Sequence, residues 1–175
     1  MKRFLAALVC PVCLAGLICL SGAVPASAEA PNMRQSINYF MNYFNEAVVQ
    51  AIKIKEYEEQ QGIAAKHPFT DEFVFFQDLN SRIEKSLGLA LNLCDLYFIY
   101  NKTTYCFTKD EKNYLFDRLD NITEALQKIR DAPYPPTANL LENKSSVPAK
   151  QLAEFNERID MLRAFIKSSL IVFQR

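Results

Sequence analysis

The strongest constraint on the fold is an apolar run in the middle of the chain, Leu87 to Tyr100, in which only Asn92 and Asp95 are strongly polar. A membrane-spanning helix needs about 20 apolar residues, and this run of 14 lies between charged neighbours. The run therefore predicts a helix that is apolar all round and buried in a protein core, with Asn92 and Asp95 on a thin wet edge. On this interpretation, Leu91→Asp would bury a charge and unfold the protein.

The leucines at positions 87, 89, 91 and 93 also alternate, as in a strand, but the residues before them keep helical spacing. Three other stretches repeat apolar residues at intervals of three and four, which is typical of core-facing helices. The first predicted helix ends at Gly62, and the second is capped by Thr70. The third begins with a capping box, Thr108 to Glu111, and the fourth begins near Pro148.

These patterns predict an all-α protein, an antiparallel four-helix bundle with a long connection between the third and fourth helices. That connection, Pro133 to Pro148, is long enough for the fourth helix to run in either direction. No internal repeat is found, and residues 29–175 are predicted to form a single domain.

Residues 1–28 have the pattern of a signal peptide: Lys2 and Arg3, then an apolar segment, then Ala26-Ser27-Ala28 before Glu29. Cleavage would leave 18 basic and 20 acidic residues, a net charge of −2. We therefore expect a periplasmic or secreted protein with no stable membrane span after cleavage. The charge balance argues against binding of nucleic acid, which requires a concentrated basic surface.

Two of the five cysteines, Cys94 and Cys106, lie outside the predicted signal peptide and flank the turn between the second and third helices. In an oxidising compartment such a pair predicts a disulfide, which would stabilise the fold by about 3 kcal/mol. The alternative, a redox-active or metal-binding pair, lacks the CxxC spacing and neighbouring histidines that such sites use.

The sequence contains no pattern of catalytic residues, and we expect no enzymatic activity, no metal site and no cofactor. The single histidine, His67, precedes a proline in the link between the first two helices. Sequons at Asn101, Asn121 and Asn143 would matter only in a eukaryotic secretory protein, and the one at Asn121 falls inside a predicted helix.

The aromatic content favours a binding function, because the chain has 13 Phe and 8 Tyr residues but no Trp. We predict a module that binds a protein partner: an adaptor, inhibitor, immunity or secretion-accessory protein. The alternative is a carrier of a small apolar ligand in an aromatic-lined cavity inside the bundle. The candidate partner-binding residues form two groups at opposite ends of the predicted bundle. The first group is His67, Phe69 and Tyr134, and the second is Tyr97, Tyr100 and Tyr105.

Overall fold

A computed structural model describes residues 33–63, 70–102, 106–135 and 138–170 of the chain. These residues form helices without any strand, which confirms the predicted all-α class. The helices are α1 Met33–Gln61, α2 Asp71–Lys102, α3 Lys109–Asp131, α4 Ala138–Glu142 and α5 Val147–Ser169. The predicted signal peptide lies outside the described residues.

The helix ends follow the local sequence signals. Thr108 Oγ1 accepts a hydrogen bond from the Glu111 backbone N–H at 3.3 Å, and Glu111 Oε2 accepts one from the Thr108 backbone N–H at 2.8 Å. This reciprocal capping box begins α3 as predicted. Thr70 Oγ1 accepts from the Phe73 backbone N–H at 3.2 Å, at the start of α2. Gly62 ends α1 with φ of +60°, a conformation that glycine adopts without steric cost.

Helices α1 and α2 pack in antiparallel orientation. The Tyr43 hydroxyl donates to Ser86 Oγ at 3.0 Å, and the Tyr57 hydroxyl donates to Glu72 Oε1 at 3.0 Å. Later residues of α1 thus meet earlier residues of α2. Because the link between these two helices is short, they pack as antiparallel neighbours.

The direction of the last helix, which the sequence left open, is antiparallel to both α3 and α1. Arg130 Nη2 contacts Asp160 Oδ2 at 2.8 Å, and Arg163 Nε donates to the Thr123 carbonyl at 3.3 Å. On the other side of α5, residues 151 and 165 contact residues 50 and 39 of α1, respectively. The four long helices are thus compatible with an up-down-up-down bundle.

The long connection between α3 and α5 contains the short helix α4, which the sequence did not predict. Leu140 and Leu141 of this helix pack against the core. The Ser146 hydroxyl donates to the Leu140 carbonyl at 3.0 Å and accepts from the Ala149 backbone N–H at 3.3 Å. Ser146 therefore joins the end of the connection to the start of α5 as its N-cap.

Helix α2 contacts each of the other long helices, α1, α3 and α5. One side of it is completely buried: Phe75, Phe76, Leu79, Ile83, Ala90, Leu93 and Tyr97 are 0% exposed. The prediction that α2 is apolar and buried all round was wrong, because Leu91 is 43% exposed on the other side. Asn92 and Asp95 lie on this exposed side, as was predicted for the two polar residues of the run. Leu91→Asp is accordingly no longer expected to unfold the protein.

A buried arginine joins α2 to the end of α3. Arg82 is 5% exposed, and its Nε donates to Asp78 Oδ2 at 2.6 Å. Its two terminal nitrogens donate to three backbone carbonyls where α3 ends. These are the carbonyls of Ile129 at 2.9 Å, Ala132 at 2.7 Å and Pro133 at 3.0 Å. The last carbonyls of a helix have no partner within the helix, so the guanidinium satisfies groups that would otherwise be left unpaired.

Two buried tyrosines hydrogen-bond across helix interfaces. Tyr43 is 5% exposed and donates to Ser86, which in turn donates to the Ile83 carbonyl at 2.7 Å. Tyr97 is 0% exposed and is hydrogen-bonded to Ser169 of α5. Burial raises the pKa of each phenol to about 12, because the phenolate would lose its hydration.

Arg82→Met should lower the free energy of unfolding by about 3 kcal/mol, because it leaves Asp78 and three carbonyls without their buried partner. The measurement is urea unfolding followed by circular dichroism. Lys85→Met is the matched control, since Lys85 is exposed on the same helix and its loss should change stability by less than about 0.5 kcal/mol. Equal effects of the two substitutions would contradict the assigned role of Arg82.

Stability should also fall steeply between pH 10 and pH 12. In this window the tyrosines of the unfolded chain lose their protons, while Tyr43 and Tyr97 in the folded protein keep theirs. The unfolded state then binds fewer protons, so rising pH favours it, whereas below pH 9 these two groups contribute no slope. Urea unfolding at several pH values checks this. Tyr97→Phe should make the free energy of unfolding depend less steeply on pH. Tyr114→Phe should leave that dependence unchanged, because Tyr114 is 62% exposed.

Candidate functional site

The first predicted group of binding residues is only partly described. His67 and Phe69 lie outside the described residues. Tyr134 is half-buried: its ring packs on Phe75 at 5.6 Å between centroids and lies under the Arg82 guanidinium at 3.7 Å. Burial raises the pKa of the Tyr134 hydroxyl to about 12. We therefore expect Tyr134→Ala to cost stability, contrary to the expectation for a freely exposed contact residue.

The second predicted group separates into a core residue and a half-buried one. Tyr97 belongs to the core, with its ring 5.1 Å from that of Phe40, so it is not on the surface where a partner could reach it. Its prediction as a contact residue is corrected for that reason. Tyr100 is half-buried and stacks on Phe107 at 5.4 Å between ring centroids. Tyr105 lies outside the described residues.

The predicted disulfide between Cys94 and Cys106 is absent from the structure, in which both residues are free thiols. Helix α2 continues from Cys94 to Lys102, so the chain leaves the helix about 12 Å beyond Cys94. A disulfide requires Cα atoms within about 7 Å of each other. Cys94 is half-buried and Cys106 is exposed. Burial raises the pKa of the Cys94 thiol, and the neighbouring charge of Asp95 raises it further.

A groove with a volume of about 390 Å³ lies between the C-terminal half of α2 and the facing side of α3. Its apolar lining consists of Leu89, Leu96, Ile99, Ile122 and Ala125. Residues 89, 92, 96 and 99 recur at helical spacing on α2, as do residues 118, 121, 122 and 125 on α3. We call this the α2/α3 groove.

The walls of the α2/α3 groove carry four polar side chains: Asn92 and Asp95 from α2, and Arg118 and Asn121 from α3. All four are exposed. Within the described part of the chain, neither Asp95 nor Arg118 forms an ion pair or a side-chain hydrogen bond. The groove therefore combines an apolar floor with a negative and a positive group, on opposite helices, that remain available to a ligand.

Two large apolar side chains are exposed at this groove: Ile99, which lines it and is 58% exposed, and Tyr114, which is 62% exposed. Tyr114 precedes Arg118 by four residues and so lies on the same side of α3. The exposure of Ile99 was not expected from the sequence, because nearly every apolar residue of the central run was taken as core. The available signal was that α2 has more apolar residues than a single buried side can hold.

Asn121, which lines the α2/α3 groove, is the first residue of one of the three sequons. This residue lies within α3, and Thr123 of the sequon is buried, its hydroxyl donating to the Leu119 carbonyl at 3.1 Å. A smaller concavity of about 120 Å³ lies where α1 meets α5 and is lined partly by Arg158, whose Nη1 already donates to the Glu46 carbonyl at 2.6 Å.

Among residues 33–63, 70–102, 106–135 and 138–170, no three His, Cys, Asp or Glu side chains are grouped as metal ligands would be. Within the same ranges, every helix is too short or too polar to cross a membrane. Comparison of the chain with protein-family models, with curated proteins and with solved structures finds no match. The α2/α3 groove is therefore interpreted from its own geometry.

In a chain that begins at Glu29, which keeps only two of the five cysteines, both thiols should react with a thiol reagent without prior reduction. Cys106 should react faster than Cys94, because Cys94 is shielded and its raised pKa leaves less thiolate. The two rates should become equal in urea. Mass spectrometry of partially labelled protein identifies the modified residue, and finding no free thiol before reduction would contradict the structure.

Proposed function

We propose that this chain is a non-enzymatic, exported helical module that binds a protein partner, with its four long helices forming an antiparallel bundle. The binding surface is the α2/α3 groove, including Ile99, together with Tyr114. This places the partner beside the second predicted group of residues, not at Tyr134. Export to the periplasm or the cell exterior is proposed from the pattern of residues 1–28.

The observation that carries the proposal is the exposure of Ile99 and Tyr114 at a groove with an apolar floor. Scattered apolar residues are ordinary on a protein surface, but a cluster bordered by polar groups is typical of an interaction site. Aromatic residues are enriched at such sites, because they bury a large area with few rotatable bonds. In this cluster Asn92, Asp95, Arg118 and Asn121 supply the polar border.

The α2/α3 groove also favours a second candidate, the carriage of a small molecule, because about 390 Å³ is within the range of small-ligand sites. Two observations make it the weaker proposal. The lining contains no aromatic residue, and most of it is solvent-exposed instead of enclosed by the helices. The aromatic rings of the core contact one another; the ring centroids of Phe75 and Phe76, for example, are 5.3 Å apart.

Affinity capture from the native host, followed by mass spectrometry of bound proteins and small molecules, tests the proposal. Wild-type protein should retain one or more protein partners in stoichiometric amount, and Ile99→Asp should lose them, because a charge placed at the edge of the groove opposes burial. Ile52→Asp is the matched control: Ile52 is 51% exposed on α1, away from the groove, and its replacement should leave capture unchanged.

Circular dichroism should show that both variants remain folded. Capture of a small apolar molecule in place of a protein would favour the carrier function. Equal capture by wild-type protein and Ile99→Asp would mean that the partner binds elsewhere. The pair Tyr134→Ala and Phe69→Ala would then test the other predicted end, with stability measured alongside, since Tyr134 packs on Arg82.

A further inference from the structure

We propose that the α2/α3 groove binds an amphipathic helix of the partner, whose apolar face covers the groove floor and whose carboxylate pairs with Arg118. This inference rests on the proposed function and specifies the chemistry of the partner. Its grounds are the backbone of the groove, its length, and the charges on its two walls.

The backbone of the groove excludes an extended peptide as the favoured ligand. Both walls are continuous helix, so their backbone N–H and C=O groups are already paired within α2 and α3. A peptide bound as a strand needs a free sheet edge to pair with, and none exists at this surface. A helix pairs its own backbone groups and can be buried without such partners. The ligand that this groove suits is therefore helical.

The length of the groove determines the size of that helix. On α2 the lining extends from Leu89 to Ile99, which is about 15 Å at a rise of 1.5 Å per residue. A ligand helix of about three turns lying along it would present apolar residues at positions i, i+3 or i+4, and i+7 to the floor. Leu89, Leu96 and Ile122 form that floor, and Ile99 and Tyr114 lie exposed toward one end.

The charges on the two walls determine the polar edges of the ligand. Arg118 on the α3 wall is exposed and has no ion pair within the described chain, so a carboxylate on the near edge of the ligand helix would gain a charge-assisted hydrogen bond. Asp95 on the α2 wall disfavours an acidic residue on the opposite edge. The two groups thus fix both the composition and the orientation of the ligand helix.

A display library of random 16-residue peptides, selected on the wild-type protein and counter-selected on Ile99→Asp, tests this inference without presuming a partner. Enriched sequences should have apolar residues at helical spacing and a Glu or Asp on one edge. The consensus peptide is then synthesised and its dissociation constant measured by fluorescence anisotropy. Its circular dichroism should become helical on binding.

Arg118→Glu should weaken binding of this peptide on the order of tenfold, because it replaces an attraction with a repulsion. Changing the acidic residue of the peptide to Lys should restore affinity for Arg118→Glu and weaken it for the wild-type protein. Lys53→Glu, which makes the same charge change at an exposed position on α1, should alter the dissociation constant less than twofold.

Three results would overturn the inference: failure to enrich any peptide, a consensus with apolar residues at every second position, or affinity that is indifferent to Arg118→Glu. These differ from failure of the proposed function. A native protein partner that is lost with Ile99→Asp but retained by Arg118→Glu keeps the proposed function and removes this inference. Absence of any protein partner removes the proposed function itself.

Discussion

The fold depends on the burial of one side of α2. This side contacts the three other long helices, and side chains from Phe75 at one end to Tyr97 at the other are 0% exposed. Each such aromatic or aliphatic side chain contributes roughly 1.5–3 kcal/mol through its removal from water. Burial of apolar surface has no preferred direction, whereas the hydrogen bonds of Arg82 do. The Arg82 guanidinium fixes where α3 ends relative to α2.

Local signals in the sequence were sufficient for the class of fold and for most helix ends. The capping box at Thr108 and the glycine at position 62 act within one helical turn, so a single sequence shows them. The exposure of individual apolar residues depends on tertiary contacts and could not be obtained in this way. Tyr97 and Phe98 are neighbours of similar size, yet Tyr97 is 0% exposed and Phe98 is 54% exposed. Both lie in the apolar run that was predicted to be buried, and Tyr97, not Phe98, was also taken as a candidate contact residue.

The residues of the candidate site could not be placed from the sequence, for the same reason. Cys94 and Cys106 were paired on the expectation of a turn between them, but α2 runs two turns past Cys94 before it ends. Tyr134 was expected at the surface because it lies in a long connection, whereas its ring is held between Phe75 and Arg82. The α2/α3 groove was not expected, because it exists only when two distant stretches of chain are brought together. Its residues could be interpreted only after that pairing was known.

The contacts between α1 and α5 carry a consequence for how the chain folds. They join residues that are about a hundred positions apart, as in the hydrogen bond from Gln50 Nε2 to the Gln151 carbonyl at 2.9 Å. By contrast, α1 with α2 and α3 with α5 are pairs formed by nearby segments, which close at a smaller entropic cost. We expect two helical hairpins to form early and to dock last along the α1–α5 contact. That contact is rich in hydrogen bonds from Gln50 and Arg158, so the final step selects one alignment of the hairpins over others that would bury a similar apolar area.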